Sequence, residues 1–427
     1  MRTPIRSVPS LLTTAIGRRQ VLRGAVSRSG VVLGPMAWCA HRTLTRNARF
    51  VAVVGSYGKT TTTRAVMTVL GLDVSRHKGW NSFGLLAAEI LQVSPLSRYG
   101  VLEVGICAPG QMTGYARWIR PDIAIVMSIG SEHHTSLGTL ESTRHEKANM
   151  VRALSPSGLA VLNGDDHNVI WMREQTDARV ITFGFEPAND VRAIDLVLDP
   201  GEGTRFNLHT QEGSLVVSTR LVGRPMVYAL LAAAAVGLSE GIPLDDIVSS
   251  LAGLSPTPER LQPVRVASGA LLLLDTFKSL AETIYVGLDV LDEMPAQRRL
   301  VVLGDIEEPV GKQGPLYKAL GRRLAKTADR VIHVGGRKSF ASMASGAVAA
   351  GLPRDQLTHV GRDVLDAAST LRDELRDGDV AWIKGRSTQH LGRIGLAVAG
   401  RDVRCRVVTC PETPGCESCV MLERGKR

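Results

Sequence analysis

Phe50-Val-Ala-Val-Val54-Gly55-Ser56-Tyr-Gly58-Lys59-Thr60-Thr61-Thr-Thr63 decides how this 427-residue chain is read. The apolar run predicts a buried strand, the glycine-rich stretch a tight turn, and Thr60 to Leu70 a helix. Strand, glycine turn and helix in that order open a nucleotide-binding α/β unit. The spacing is G-x-x-G-K-T-T, shorter than the usual G-x-x-x-x-G-K-[ST], whose first glycine would fall on Val53. The physics is shared, because small residues let backbone N–H groups approach phosphates at a helix N-terminus. Gly55, Ser56 and Gly58 would form the cradle. Lys59 would place a charge on the β and γ phosphates, and Thr60 or Thr61 would reach Mg²⁺. ATP and Mg²⁺ are the cofactors this turn predicts.

Outward from the turn, further strands are predicted at Gly100–Val104, Ile123–Met127 and Leu159–Leu162. Helices fall between them at Leu85–Leu91, Gly110–Ile119 and Leu140–Leu154. Such alternation predicts an α/β fold with a doubly wound, mostly parallel sheet covered on both faces. A β-rich stretch near 179–222 precedes an alanine-rich helix from Met226 to Leu238. Leu254-Ser-Pro-Thr-Pro258 looks like a boundary. Beyond it, strands at Ala270–Leu274, Leu300–Leu303, Arg330–Val334 and Asp379–Ile383 predict a second, Rossmann-like α/β domain. The expected division is an arginine-rich extension over 1–48, a central ATP-binding domain over 49–256, a C-terminal domain over 257–400 and a cysteine-containing tail over 401–427.

Several residues past the strand ends are candidates for chemistry. In parallel sheets, ligands bind at the C-terminal ends of strands. Glu103 ends its strand in Leu102-Glu-Val-Gly-Ile106 and could ligate Mg²⁺; alone, it would be an ordinary solvated strand end. Ser128-Ile-Gly-Ser-Glu-His-His134 follows the next strand. His133 or His134 is a metal-ligand candidate there, with Glu132 a nearby alternative. Lys147 lies on a predicted helix, and Asn163-Gly-Asp-Asp166 reads as a turn.

Taken in order, G-x-x-G-K-T-T, Asn81-Ser-Phe-Gly84, Glu103-Val-Gly, Ile-Gly-x-x-His133, Lys147 and Leu-Asn163-x-Asp-Asp resemble the central domain of the Mur ligase family. Leu303-Gly-Asp-Ile-Glu-Glu308 and Ile383-Lys-Gly-Arg386 extend the likeness. They point to the branch that joins D-alanyl-D-alanine to a UDP-linked muramyl tripeptide. The resemblance spans about residues 49–400. It implies an ATP-dependent carbon–nitrogen ligase that activates a carboxylate acceptor as an acyl phosphate, then captures it with an amino acid or peptide amine. It further implies that Lys59 and Thr60 bind phosphates and Mg²⁺, that Glu103 and His133 hold Mg²⁺, and that Lys147 is carbamoylated into a carboxylate-like metal ligand. Asn163 and Asp166 would serve the nucleotide base side. Arg260, in Thr257-Pro-Glu-Arg-Leu261, and Asp275 would touch ATP from the second domain.

The chain departs from that pattern in places. About 48 residues precede the first strand, short for a domain that grips a uridine nucleotide, so an atypical acceptor is expected. Thr276-Phe-Lys-Ser-Leu-Ala281 replaces the Tyr-Asn-Ala-Asn-Pro run of this branch. Pro225-Met226 replaces its His-Asn pair. These losses keep a second reading open: a partner-dependent, non-catalytic ATP-binding subunit.

The bulk properties narrow the rest. With 44% hydrophobic and 22% charged residues the chain is an ordinary globular one. No apolar run is long enough to span a membrane. The net charge is +10, yet residues 1–50 hold nine arginines and no Asp, Glu or Lys. This basic extension is either an arm without a partner or a contact for a membrane surface or an acidic protein; no specific nucleic acid is expected. Gly17-Arg-Arg-Gln-Val-Leu-Arg23 resembles an export signal only loosely, because Arg28 interrupts the apolar part, and a cytoplasmic location is expected. Cys405, Cys410, Cys416 and Cys419 have a spacing that predicts a Cys₄ zinc site. Four free thiols and an iron–sulfur cluster are the alternatives.

Overall fold

The computed structural model describes residues 15–79, 81, 83–410, 415–419 and 421–424. The chain divides into two compact units. The first takes in the chain up to Leu196 with Phe206–Val217 and Pro225–Leu254; the second takes in Val197–Arg205, Ser218–Arg224 and the chain from Ser255.

Eight strands build the first sheet: β1 (Arg49–Val54), β2 (Tyr99–Val104), β3 (Ile123–Val126), β4 (Leu159–Asn163), β5 (Arg179–Gly184), β6 (Val191–Asp199), β7 (Gly203–Thr210) and β8 (Gly213–Thr219). Their spatial order is β2-β1-β3-β4-β5-β6-β7-β8. β1 pairs in parallel with both β2 and β3, so Val54 lies beside Val104 and Val126. The chain therefore leaves β1 towards one edge and later returns to its other side. That reversal opens a crevice at the C-terminal end of β1, where doubly wound sheets bind their ligands. β1 is wholly buried beyond Arg49, as a strand covered on both faces must be.

The second sheet holds β9 (Gln262–Arg265), β10 (Leu271–Asp275), β11 (Arg299–Leu303), β12 (Arg330–His333), β13 (Leu357–His359) and β14 (Val380–Lys384) in the order β13-β12-β11-β14-β10-β9. All pairs are parallel except β10 with β9. The expected α/β architecture is present in both units. β9 and β13 were not predicted. β9 contains Pro263, which removes a ladder donor and confines such a strand to an edge. β13 has only three residues.

Among the described residues, two helices precede β1, Ala15–Arg28 and Gly30–Thr43. The second buries Gly30, Gly34, Ala37 and His41 along one face. A Cβ on Gly34 would fall 2.2 Å from the Trp118 ring, so the helix sits directly on that side chain. Gly84 meets the preceding helix as closely: its Cβ would lie 2.0 Å from the Val26 carbonyl oxygen. His41 packs edge-on to Phe50 of β1, with centroids 4.1 Å apart. The inner face is built from small residues rather than large apolar ones, which is why no helical period stands out there in the sequence.

The C-terminal tail is held to the second unit by a buried arginine. The Arg393 guanidinium, 1% exposed, donates to the carbonyls of His390, Gln389, Cys405 and Val407 at 2.6–3.2 Å. His390 Nε2 lies 2.9 Å from the Cys410 carbonyl.

Candidate active site

The first unit gathers the predicted residues at the end of β1. Gly58 caps the helix Lys59–Val69 with φ 86°. An L-residue there would cost roughly 1–2 kcal/mol, which accounts for the glycine. Lys59 is buried and its Nζ donates to the carbonyls of Gly55 at 2.7 Å and Ser56 at 3.3 Å. The same ammonium lies 3.3 Å from Glu132 Oε2. Glu132 Oε1 in turn lies 3.6 Å from His133 Nε2. One buried carboxylate thus bridges the loop lysine and the predicted histidine. Sequence reasoning offered Glu132 only as a stand-in for the histidine; its link to Lys59 depends on the two loops meeting, which spacing does not reveal.

Ser56 is a second junction. Its Oγ accepts from the Gly130 amide at 2.8 Å and from Lys147 Nζ at 2.8 Å. Lys147 is 3% exposed, on the helix Leu140–Arg152. The residue types are those of a polar site, yet almost all are withdrawn from water, where charge–charge effects are strong. Thr61 is buried with its hydroxyl 3.9 Å from Met226 Sδ, while Thr60 is half-buried.

Glu103 ends β2 as expected. It accepts from Asn81 Nδ2 at 2.9 Å and lies 3.2 Å from His77 Nε2. Burial alone would raise its carboxyl, but the His77 hydrogen bond, the Lys59 charge and Asn81 together hold it down to about 2. A group that ionises more readily folded than unfolded stabilises the fold wherever it is charged. Stability from Glu103 should be complete above about 4.5 and lost as pH falls towards about 2. The expected loss is on the order of 3 kcal/mol. Urea denaturation between pH 5 and 2.5 checks it: Glu103→Gln should flatten the slope, and an unchanged slope would refute the assignment.

Asn163 and Asp166 are occupied by protein. Asn163 Nδ2 donates to the Met127 carbonyl at 2.9 Å, and Asp166 Oδ2 accepts from the Ile129 amide at 2.9 Å. They fasten the end of β4 to the loop bearing His133. Asp165, read from sequence as part of a turn, receives the Phe185 amide at 2.6 Å, Asn189 Nδ2 at 2.7 Å and Tyr228 OH at 2.8 Å. An aspartate facing three donors from distant segments leaves no local signature.

In the second unit, Asp275 and Lys384 lie side by side at the ends of β10 and β14, joined by a 2.7 Å ion pair. Burial lowers the Lys384 ammonium, and Asp275 opposes that shift. Asp305, past β11, accepts weakly from Gln389 Nε2 at 3.4 Å and lies 3.9 Å from the Arg386 guanidinium. The Arg260 guanidinium sits 3.8 Å above the Phe277 ring. Phe277 belongs to the run that departs from the family pattern, so the departure itself positions Arg260.

Among the described residues, no group of three or more His, Cys, Asp or Glu is placed to hold a metal. For Mg²⁺ this is no misfit, since that ion takes one or two carboxylates and completes its shell with water and phosphate oxygens. The ionised Glu103 and the Thr60 hydroxyl are donors of the right hardness. For zinc the predicted set is not formed. Cys405, Cys410, Cys416 and Cys419 are free thiols. Burial, with the Glu259 carboxylate and neighbouring thiols, pushes Cys416 up to about 12 despite nearby Arg393. Backbone hydrogen bonds to Arg393 hold the tail.

Known proteins match the chain along most of its length. The model of the Mur ligase middle domain matches residues 53–237, and that of the Mur ligase glutamate ligase domain matches 259–387. The UDP-N-acetylmuramoyl-tripeptide–D-alanyl-D-alanine ligase of Escherichia coli (strain K12) is 32% identical over 70% of this chain and 67% of its own. The ligase of that name from Mycobacterium bovis is 27% identical over 92% and 83%. Among solved structures, MurF from Acinetobacter baumannii superposes with a TM-score of 0.75 at 23% identity, covering 87% of this chain and 81% of that one. MurF of Thermotoga maritima in complex with ADP gives 0.72 at 21%, over 84% and 80%.

Proposed function

The chain belongs to the Mur ligase family, and from that premise we propose that it joins an amine to a carboxylate at the expense of ATP, on an acceptor other than a UDP-linked muramyl tripeptide. The observation that supports this most is the buried Glu132–Lys59–Ser56–Lys147 cluster at the C-terminal end of β1. There Lys59 holds a charge beside backbone amides at a helix N-terminus, the arrangement a triphosphate needs.

In this reading the acceptor carboxylate attacks the γ-phosphorus, ADP leaves, and an acyl phosphate forms. The amine nitrogen then attacks the acyl carbon, gives up a proton, and expels phosphate. Lys59 exchanges its carbonyl and Glu132 partners for phosphate oxygens and neutralises charge that grows during transfer. Glu103, Thr60 and His133 would hold Mg²⁺, which supplies further neutralisation. The buried Lys147 amine is the proposed site of carbamoylation. After equilibration with ¹³C-bicarbonate, a carbamate carbon resonance should appear and be absent from Lys147→Gln; no resonance in the unmodified protein would remove the idea.

The replaced run Thr276–Ala281, whose Phe277 lies under Arg260, supports changed nucleotide or amine contacts, and Pro225-Met226 is a further departure. The same changes motivate the second reading, an ATP-binding subunit that needs a partner. Full-chain protein with ATP and Mg²⁺ would be given pools of carboxylated acceptors and amines, the UDP-linked tripeptide with D-alanyl-D-alanine among them, and ADP followed. Amine-dependent ADP release with some other acceptor is expected. Release with the UDP-linked tripeptide alone would overturn the acceptor assignment. ATP binding without amine-dependent turnover on any pool would favour the partner-dependent subunit.

A further inference from the structure

The helix Gly30–Thr43 is apolar on both sides. Its inner face, Gly30, Gly34, Ala37 and His41, is buried against the first unit. Its outer face presents Val31 at 74% exposure, Val32 at 63% and Met36 at 52%. Leu22 on the preceding helix and Leu44 just beyond are similarly exposed. A helix apolar all round is normally enclosed, so the outer face needs a covering. The charged side chains on its own stretch of chain have one sign. Arg18, Arg28, Arg42 and Arg46 are exposed, and residues 1–50 contain no acidic side chain. Trp38 is partly exposed with the Arg42 guanidinium 4.8 Å from its ring, an amphipathic pairing suited to a headgroup region. No helix among the described residues is long and apolar enough to cross a membrane.

We propose that this outer face docks on the surface of an anionic phospholipid bilayer. Exposed apolar side chains on a stretch whose only charges are arginines suit a helix lying in the interface plane, where burial and attraction to acidic lipid add together. A protein partner would have to offer an apolar patch framed entirely by acids. A bilayer containing acidic lipid offers both everywhere. Because the inner face is fastened to the unit, with His41 on Phe50 of β1, docking would hold the Gly55–Lys59 turn at a set height above the lipid.

The test is cosedimentation of the full chain with vesicles of phosphatidylcholine alone and of phosphatidylcholine with phosphatidylglycerol. Binding at least about tenfold stronger to the acidic vesicles, weakened by salt, is expected. The double variant Val32→Glu/Met36→Glu should bind at least about tenfold more weakly than the unmodified chain. Both positions face outward, so its amine-dependent ADP release in solution should be unchanged; docking and ligase activity are thus read separately. Equal binding to both vesicle types, or full binding by the double variant, would overturn the proposal. So would a failure to sediment accompanied by self-association that the double variant abolishes, which would identify a protein interface instead.

Discussion

Lys59→Met should lower amine-dependent ADP formation by more than about 10²-fold, the usual consequence of removing one preorganised charge from a transferring group. The ammonium sits within 2.7 Å of the Gly55 carbonyl and 3.3 Å of Glu132, so it is already in the turn before any phosphate arrives. Methionine keeps an unbranched chain one atom shorter and removes the charge together with the N–H donors to the Gly55 and Ser56 carbonyls. The substitution leaves Glu132 buried without that cation, which would cost about 3–5 kcal/mol if no other group compensated. Circular dichroism and thermal melting must therefore show a folded protein before the rate is interpreted. Pairing it with Glu132→Gln removes the stranded charge and should restore stability without restoring turnover. A folded Lys59→Met protein with turnover within about tenfold of the unmodified chain would refute the role given to the loop.

Asp275→Asn is expected to destabilise the second unit by about 3 kcal/mol, because Lys384 is left charged in the interior without its counter-ion. Lys384 is 1% exposed and its Nζ lies 2.7 Å from Asp275 Oδ2. Replacing both partners by apolar groups, Asp275→Leu with Lys384→Met, should recover much of the loss, since a buried pair contributes little net stability over a packed apolar pair. Urea denaturation of the unmodified chain, the singles Asp275→Leu and Lys384→Met, and their double gives the coupling energy directly. Additive effects at the two positions would show that the ion pair is not what holds the ends of β10 and β14 together.

Much of this arrangement can be read before any coordinates. The strands that matter are continuous apolar runs such as Phe50–Val54 and Leu159–Leu162, and a parallel sheet covered on both faces requires such runs. Glycine followed by lysine and threonines marks the turn by the demands of phosphate approach, which act over a handful of neighbouring residues. Legibility ends where function is assembled from distant segments. Glu132 meets Lys59 only because the segments after β3 and β1 converge, and Asp165 meets Tyr228 only because the helix Arg224–Ser239 returns to the end of β4. The inner face of Gly30–Thr43 escapes notice because small residues give no hydrophobic period. In the tail, Arg393 hydrogen-bonds the backbone of Cys405 and Val407, a tertiary contact that cysteine spacing does not announce.

Isothermal calorimetry of the full chain with ADP in the presence of Mg²⁺ reaches the central claim by the shortest route. Saturable uptake of about one nucleotide per chain, lost or strongly weakened in Lys59→Met, is the predicted result. A folded protein that takes up no nucleotide would contradict the account at its root, since every chemical step assigned to it begins from a triphosphate held by the turn after β1.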